Sequence, residues 1–372
     1  MTDQAQLRKQ LLGTLTANGS LRTEPWKRAA ETVPRHEFLR DGFFRRVEGS
    51  APGAWTSVLE SDAGWLDACY QDESLVTQIA GTILPTDIRG QIMRAPTSSS
   101  TLPSLVLRML EDLRVEPESQ VLEIGTGTGY STALLCARLG EERVTSIEYD
   151  DVVASRARTA LARQDKFPVI VTGDGLLGYA ESAPYDRVIA TCGVRTVPTA
   201  WIEQTRPGGL ILTTIGGWLD SSELARLTVH DDGTASGPLL GGQVSFMLAR
   251  PHMPPALGLL PDLSQGKERK AVIGAGVLTG WTTRFVVQLA APRAQRLTME
   301  RDGRTEDVLI DVESGSWAAL YEHGGRWVVR QDGPDALWDA VEEQLGRWHA
   351  AGTPALEEFT VSVTPDGQTI RW

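Results

Sequence analysis

The sequence predicts an α/β chain built on a mostly parallel sheet, with a smaller α+β domain towards its C-terminal end. Three observations carry this. Short apolar strands alternate with amphipathic helices between residues 103 and 215, three glycines follow the first of those strands directly, and composition breaks at a proline-rich stretch from Arg250. Strands joined through helices need crossovers, which make neighbouring strands parallel and cover both sheet faces.

Taken in order, residues 4 to 40 read as two helices, and Ser50 to Gly64, rich in Gly, Ser and Ala, as a loop or insertion. Leu105, Val106, Met109, Leu110 and Leu113 recur at helical spacing, so Pro103 to Leu113 is an amphipathic helix. Val121 to Ile124 is a strand, Ser131 to Leu139 a helix, Val144 to Glu148 a strand and Val152 to Arg163 a helix. Val169 to Val171, Arg187 to Ala190 and Leu210 to Ile215 are further strands. Leu224 to Val229 and Val244 to Ala249 read as a closing antiparallel hairpin. Beyond the break, Arg284 to Leu289, Asp307 to Val312, Trp317 to Tyr321 and Arg326 to Arg330 are strand-like, and Ala336 to Ala351 is helical. Phe359 to Val363 and Thr369 to Trp372 form a hairpin around Pro365-Asp-Gly367. The division is a helical N-terminal region with an insertion over 1–85, a sheet-bearing core over 86–250, a linker over 251–266 and an α+β domain over 267–372. Six of the eleven tryptophans follow Gly280 and are read as the core of that last domain.

The 372 residues are 41% hydrophobic and 23% charged, an ordinary globular composition, with a net charge of −12. Acidic residues outnumber basic ones on both sides of Leu219, which argues against a nucleic-acid partner. No apolar run reaches membrane-span length, and the opening Met1-Thr-Asp-Gln lacks the regions of a signal peptide, so no membrane partner and a cytoplasmic location are expected. Cys69, Cys136 and Cys192 form no CxxC, and the five histidines are scattered, so neither a metal site nor a disulfide framework is expected. Cys136 reads as core, while Cys192 follows a strand and is placed to line a pocket.

The segment Val121-Leu-Glu-Ile-Gly-Thr-Gly-Thr-Gly-Tyr-Ser131 runs a buried strand into Gly125-x-Gly127-x-Gly129 and then a helix. Glycine permits positive φ and close approach of a ligand to the backbone, and the helix start favours an anionic group. The dinucleotide fingerprint places its third glycine where Tyr130 stands, which disfavours NAD. Glu123 precedes the turn, Glu148 ends the second strand with two oxygens suited to ribose hydroxyls, and Gly173-Asp174-Gly175 follows the third. Three acids at the carboxyl ends of successive strands describe an S-adenosylmethionine site. Its residues are Glu123, Gly125, Thr126, Gly127, Gly129, Tyr130, Glu148, Asp174 and Gly175; the bland alternative is an NAD-like or cofactor-free α/β domain.

With these residues in place, the chain resembles class I S-adenosylmethionine methyltransferases of Rossmann-like fold, and within them the protein-L-isoaspartate O-methyltransferases. Pro34-Arg-His36-Glu-Phe38, Tyr70-Gln-Asp72, Val121 to Ser131, Gly173-Asp-Gly175 and Pro184-Tyr-Asp-Arg-Val-Ile189 match that family in order, over about residues 20 to 250. Ser74-Leu-Val-Thr-Gln78, Thr97 to Val106 and Thr360 to Gly367 look like variants from ATP-grasp peptide maturation systems, which make crosslinked graspetides; a related class acts on lanthipeptides. The resemblance implies a serine-rich loop before the first core helix that faces the substrate carboxylate, here Ser98, Ser99, Ser100 and Thr101. Thr101-Leu102 replaces the Ser-Gln or Ser-Ala of typical members.

The expectation is therefore methylation of an aspartate carboxylate in a ribosomally made, crosslinked peptide, the ester closing to an aspartimide. General isoaspartyl repair and a lanthipeptide-associated methyltransferase are the alternatives, with a scaffold protein the competing class. No general base is expected, because a carboxylate is already ionised at neutral pH and the sulfonium methyl is already activated. His36 is read as structural, and Arg89 and Arg94 as cations available to an acidic peptide.

Overall fold

The computed structural model describes residues 3–47, 49 and 53–372. By its contacts the chain divides into two units. One comprises the chain up to Thr191 with Pro198–Leu212 and Thr228–Thr234; the other comprises Cys192–Val197, Thr213–Leu227 and Ala235–Trp372. This differs from the boundary at 250 drawn from composition, since stretches on both sides of Arg250 group with the C-terminal residues.

The first unit begins with helices α1 (Gln4–Ala17) and α2 (Glu24–Thr32). Asp3 caps α1 through the Ala5 N–H, and Leu7, Leu11 and Leu15 bury one stripe at four-residue spacing. An antiparallel sheet follows: β1 (Phe43–Arg46), β2 (Ala54–Val58), helix α3 (Trp65–Cys69), β3 (Leu75–Ile79), β4 (Gln91–Met93) and β5 (Pro96–Ser100), in the order β4-β2-β1-β3-β5. Phe44, Val76 and Ile79 form its small core. The loop expected over Ser50 to Gly64 is corrected here: Ser50 to Pro52 lie outside the described residues, but Ala54–Val58 pairs with β1 in register Phe43↔Val58. Trp55, Thr56 and Val58 are strand formers, and that propensity outweighs the surrounding glycines.

The central sheet is the predicted alternation. Helix α4 (Pro103–Asp112) precedes β6 (Val121–Ile124), α5 (Tyr130–Leu139), β7 (Val144–Glu148), α6 (Asp151–Ala162), β8 (Val169–Thr172), β9 (Tyr185–Val194), α7 (Thr199–Glu203), β10 (Thr205–Gly216) and β11 (Ser222–Val229). The strand order is β8-β7-β6-β9-β10, with β6 parallel to both β7 and β9. All four β6 residues are buried, as a central parallel strand requires. This is the α/β fold that the sequence predicts.

In the second unit, β11 pairs with β12 (Ala235–Pro238), and β12 with the terminal hairpin below. The predicted strand Val244 to Ala249 is not formed. Gln243 turns at φ 56 with its N–H on buried Glu223, and the segment instead makes a single bridge, Leu248 to Gly193. Then come β13 (Lys267–Lys270), α8 (Trp281–Ala290), β14 (Gln295–Arg301), β15 (Arg304–Asp311), β16 (Ser316–His323), β17 (Arg326–Asp332), α9 (Leu337–Ala350), β18 (Thr360–Thr364) and β19 (Gly367–Arg371). Five of these strands form a sheet in the order β13-β17-β16-β15-β14. The strand predicted over Arg284 to Leu289 is a helix: a short apolar run does not distinguish the two by period, and packing of Phe285 on Phe359 decides it. Strands β13 and β14, charged and alternating only weakly, were not anticipated. Of the six tryptophans, Trp317, Trp338 and Trp348 are buried; Trp281, Trp327 and Trp372 are half-buried. No helix among the described residues is long and apolar enough to cross a membrane.

Candidate active site

The glycine turn leaves β6 at Ile124 and enters α5 at Tyr130. Gly125, Gly127 and Gly129 have φ values of 93°, 56° and 88°, the left-handed region that a side chain resists. A Cβ on Gly125 would lie 2.7 Å from Thr191 Oγ1, whose hydroxyl donates to the Gly125 carbonyl at 2.5 Å and the Ile124 carbonyl at 3.2 Å. The turn is therefore both bent and pinned from β9. Tyr130 is buried and tilts against Phe38 at 5.9 Å between ring centroids.

The three acids have different surroundings. Glu148, half-exposed at the end of β7, accepts the Gly127 N–H at 2.9 Å on one oxygen and the Asp150 N–H at 3.1 Å on the other. Asp174, half-exposed after β8, accepts the Leu176 N–H at 3.0 Å. Gly175 is buried, and a Cβ there would meet Ile124 Cγ2 at 2.5 Å. Glu123 departs from the sequence reading. It is wholly buried, and its oxygens take the hydroxyls of Ser131 (2.5 Å), Thr132 (2.5 Å) and Ser146 (2.7 Å). Burial pushes its carboxyl pKa up, against the three hydroxyl donors. Glu123 thus braces the turn from beneath, with Thr126 bonded to Ser146 at 2.7 Å in the same cluster, rather than presenting a free carboxylate to a ligand.

The glycine turn, the start of α5, Glu148 and Asp174 lie at the carboxyl ends of β6, β7 and β8, where open α/β sheets bind ligands. Gly127 is the open point of the cradle: a Cβ there would meet only the Ser99 carbonyl oxygen, at 3.5 Å. The residues present fit S-adenosylmethionine, which the glycine turn, Glu148 and Asp174 would hold between them.

The serine-rich segment is not a loop. Pro96–Ser100 is β5, paired with β3 at Leu75↔Ser100 and Val76↔Ser99. Alternation along a strand sends Ser98 and Ser100 to the buried face and leaves Ser99 half-buried on the other, so the four hydroxyls do not converge on one ligand. The Ser98 hydroxyl accepts from Thr77 at 3.2 Å, whereas Ser100 Oγ is buried without a hydrogen-bond partner among the described residues. Thr101 follows the strand and is half-buried. The Ser99 carbonyl at Gly127 brings this segment against the glycine turn.

Residues that the sequence reading left without a role complete the site. Gln78 is buried on β3, takes the Thr97 hydroxyl at 2.8 Å and donates to Asp150 at 3.2 Å, while Asp150 caps α6 through the Val152 and Val153 N–H groups. Arg35 and Asp72 hold the segment around Thr101. Arg35, Asp72 and Gln78 stand in stretches quoted for the resemblance, which was their only signal, whereas Asp150 stands outside them. His36 is buried, with Nδ1 2.7 Å from the Tyr70 hydroxyl and burial lowering its pKa, as a structural role requires. Burial pushes the Cys69 and Cys136 thiols up to about 12, so neither is a nucleophile at neutral pH. Arg89 and Arg94 are exposed.

Comparison with known proteins bears on this arrangement. A family model described as protein-L-isoaspartate(D-aspartate) O-methyltransferase matches residues 82–242. A protein-L-isoaspartate O-methyltransferase from Thermococcus sibiricus is 30% identical over 245 residues, covering 62% of this chain and 92% of the relative. One from Methanopyrus kandleri is 29% identical over 247 residues, covering 63% and 91%. A solved structure named protein-L-isoaspartate O-methyltransferase aligns with 98% of this chain and 99% of its own at a TM-score of 0.56 and 23% identity, a likeness of fold that includes the C-terminal unit.

Proposed function

The chain belongs to the protein-L-isoaspartate O-methyltransferase family, an S-adenosylmethionine-dependent carboxyl methyltransferase, and from that premise we propose that its acceptor is the free carboxylate of an isoaspartyl residue in a peptide or protein. The observation that carries the reading is the approach of the Ser99 carbonyl to Gly127, which joins the hydroxyl-bearing segment and the cofactor turn in one wall. The expectation of a crosslinked, ribosomally made peptide rested partly on the C-terminal domain. A solved isoaspartate methyltransferase shares that region's fold, so its presence no longer favours peptide maturation. Thr101-Leu102 in place of Ser-Gln is what still favours the second reading.

When bound, S-adenosylmethionine supplies an activated methyl on a sulfonium, so the protein's work is positioning. The acceptor carboxylate is ionised at neutral pH and needs no base. The Thr101 hydroxyl donates to one carboxylate oxygen and leaves the other to attack in line. Orientation at about 3 Å contributes roughly 7–11 kcal/mol to such a step. Once esterified, the aspartyl carbonyl is open to the following backbone nitrogen, which displaces methanol and closes a succinimide.

The test is to incubate the protein and S-adenosylmethionine with an isoaspartyl peptide, the aspartyl isomer and a crosslinked aspartate peptide, following mass. Methylation of the isoaspartyl peptide alone is expected. Methylation of the crosslinked peptide alone would move the assignment to peptide maturation.

A further inference from the structure

Arg35 is 1% exposed, and its guanidinium is bonded to five main-chain carbonyls. Nη1 donates to Cys69 at 3.1 Å and Gln71 at 2.9 Å; Nη2 donates to Glu73 at 2.8 Å and to Ser100 and Thr101 at 3.2 Å each. These carbonyls belong to two segments far apart in sequence, the turn over 69–73 and the end of β5 before α4. The same segments are tied twice more: the Leu102 N–H donates to Ser74 Oγ at 3.1 Å, and the Ser104 N–H to Asp72 Oδ1 at 2.8 Å. The two terminal nitrogens, set apart in one plane with four N–H groups, reach all five carbonyls, whereas a lysine offers three donors from a single point. The carbonyls of the two peptide units that flank the Thr101 Cα, those of Ser100 and Thr101, are both held, and this sets where the Thr101 hydroxyl stands.

We propose that Arg35 is a positioning residue for the methyl acceptor: by gripping the carbonyls of Ser100 and Thr101 against the 69–73 turn, it fixes the hydroxyl that meets the acceptor carboxylate. The inference rests on the carboxyl-methylation reading above. It separates two functions within one wall: the bonds that brace the glycine turn come from Glu123, Glu148 and Thr191, and those of Arg35 go to the main-chain carbonyls of 69–73, 100 and 101. Loosening Arg35 therefore disturbs acceptor binding and leaves cofactor binding alone.

The experiment compares the full chain with Arg35→Lys in three measurements. These are S-adenosylhomocysteine binding by calorimetry, initial rates against isoaspartyl peptide concentration, and amide exchange over residues 98–104. The expected result is unchanged cofactor affinity, an acceptor kcat/KM lower by about a hundredfold through a raised KM, and faster exchange at Leu102 and Ser104. A folded Arg35→Lys with wild-type acceptor kinetics overturns the proposal, as does a parallel loss of cofactor and acceptor affinity. Should Arg35→Lys not fold, Ser74→Ala removes only the acceptor of the Leu102 N–H and must show the same split; wild-type behaviour there also overturns it. If the wild type methylates no isoaspartyl peptide, the functional reading fails instead. The exchange comparison then still decides whether Arg35 fixes the turn, and unchanged exchange would overturn that.

Discussion

One oxygen of Glu148 accepts the Gly127 N–H at 2.9 Å, so the acid closing β7 holds the middle glycine of the turn that leaves β6. Glu148 shapes the cradle, and in the reading proposed above it also takes the ribose hydroxyls. Glu148→Ala removes both. The expected loss of S-adenosylhomocysteine affinity is about ten- to a hundredfold by calorimetry, from charge-assisted bonds of about 1.5–3 kcal/mol. Glu148→Gln keeps one acceptor and is expected to fall between; wild-type affinity in both would remove Glu148 from the site.

Gly125→Ala tests the turn itself. Its φ of 93° is left-handed, costing a side chain about 1–2 kcal/mol, and the new Cβ meets Thr191 Oγ1 at 2.7 Å. Thermal unfolding is expected at lower temperature, together with weakened cofactor binding. An alanine variant of unaltered melting temperature and affinity would contradict the pinned turn.

Thr101→Val keeps shape and deletes the hydroxyl. We expect acceptor kcat/KM to fall by at least about tenfold, the worth of one hydrogen bond of about 1.4 kcal/mol, with cofactor affinity intact. Full activity would show that the acceptor carboxylate is held elsewhere, with Ser99 the next candidate.

His36 supplies a pH prediction. Burial lowers its pKa in the fold below the usual value of about 6.5, so the unfolded chain binds more protons in that range. Stability then falls as pH drops through about 6.5 and below. His36→Asn removes this contribution, so melting temperatures measured across that range are expected to fall less steeply than for the wild type. Equal slopes would mean that His36 is not the titrating group.

Much of this site was legible because its determinants are local. Three glycines immediately after an apolar strand need no knowledge of distant residues, and neither do acids that end successive strands. Asp174 and Glu148 stand where that pattern put them. Glu123 was misread because its burial comes from packing: Ser131 and Thr132 lie only eight and nine residues on, but Ser146 and the layers that close over the carboxylate come from elsewhere in the chain. The Ser98 to Ser100 run was misread for a related reason, since serine composition suggests a loop and only pairing with β3 makes it a strand with alternating faces.

By itself, then, the sequence determined the alternation of strands and helices, the parallel sheet, the glycine turn and the class of cofactor. Each follows from periodicity, φ preference and charge within a dozen residues. Tertiary structure alone decided that Glu123 is buried under the turn while Glu148 stays half-exposed, and that Phe285 lies on a helix. It also decided that Arg35 gathers carbonyls from positions 69–73 and 100–101. Those outcomes depend on which buried polar groups find partners, and a buried donor or acceptor finds its partner by proximity in space, not along the chain.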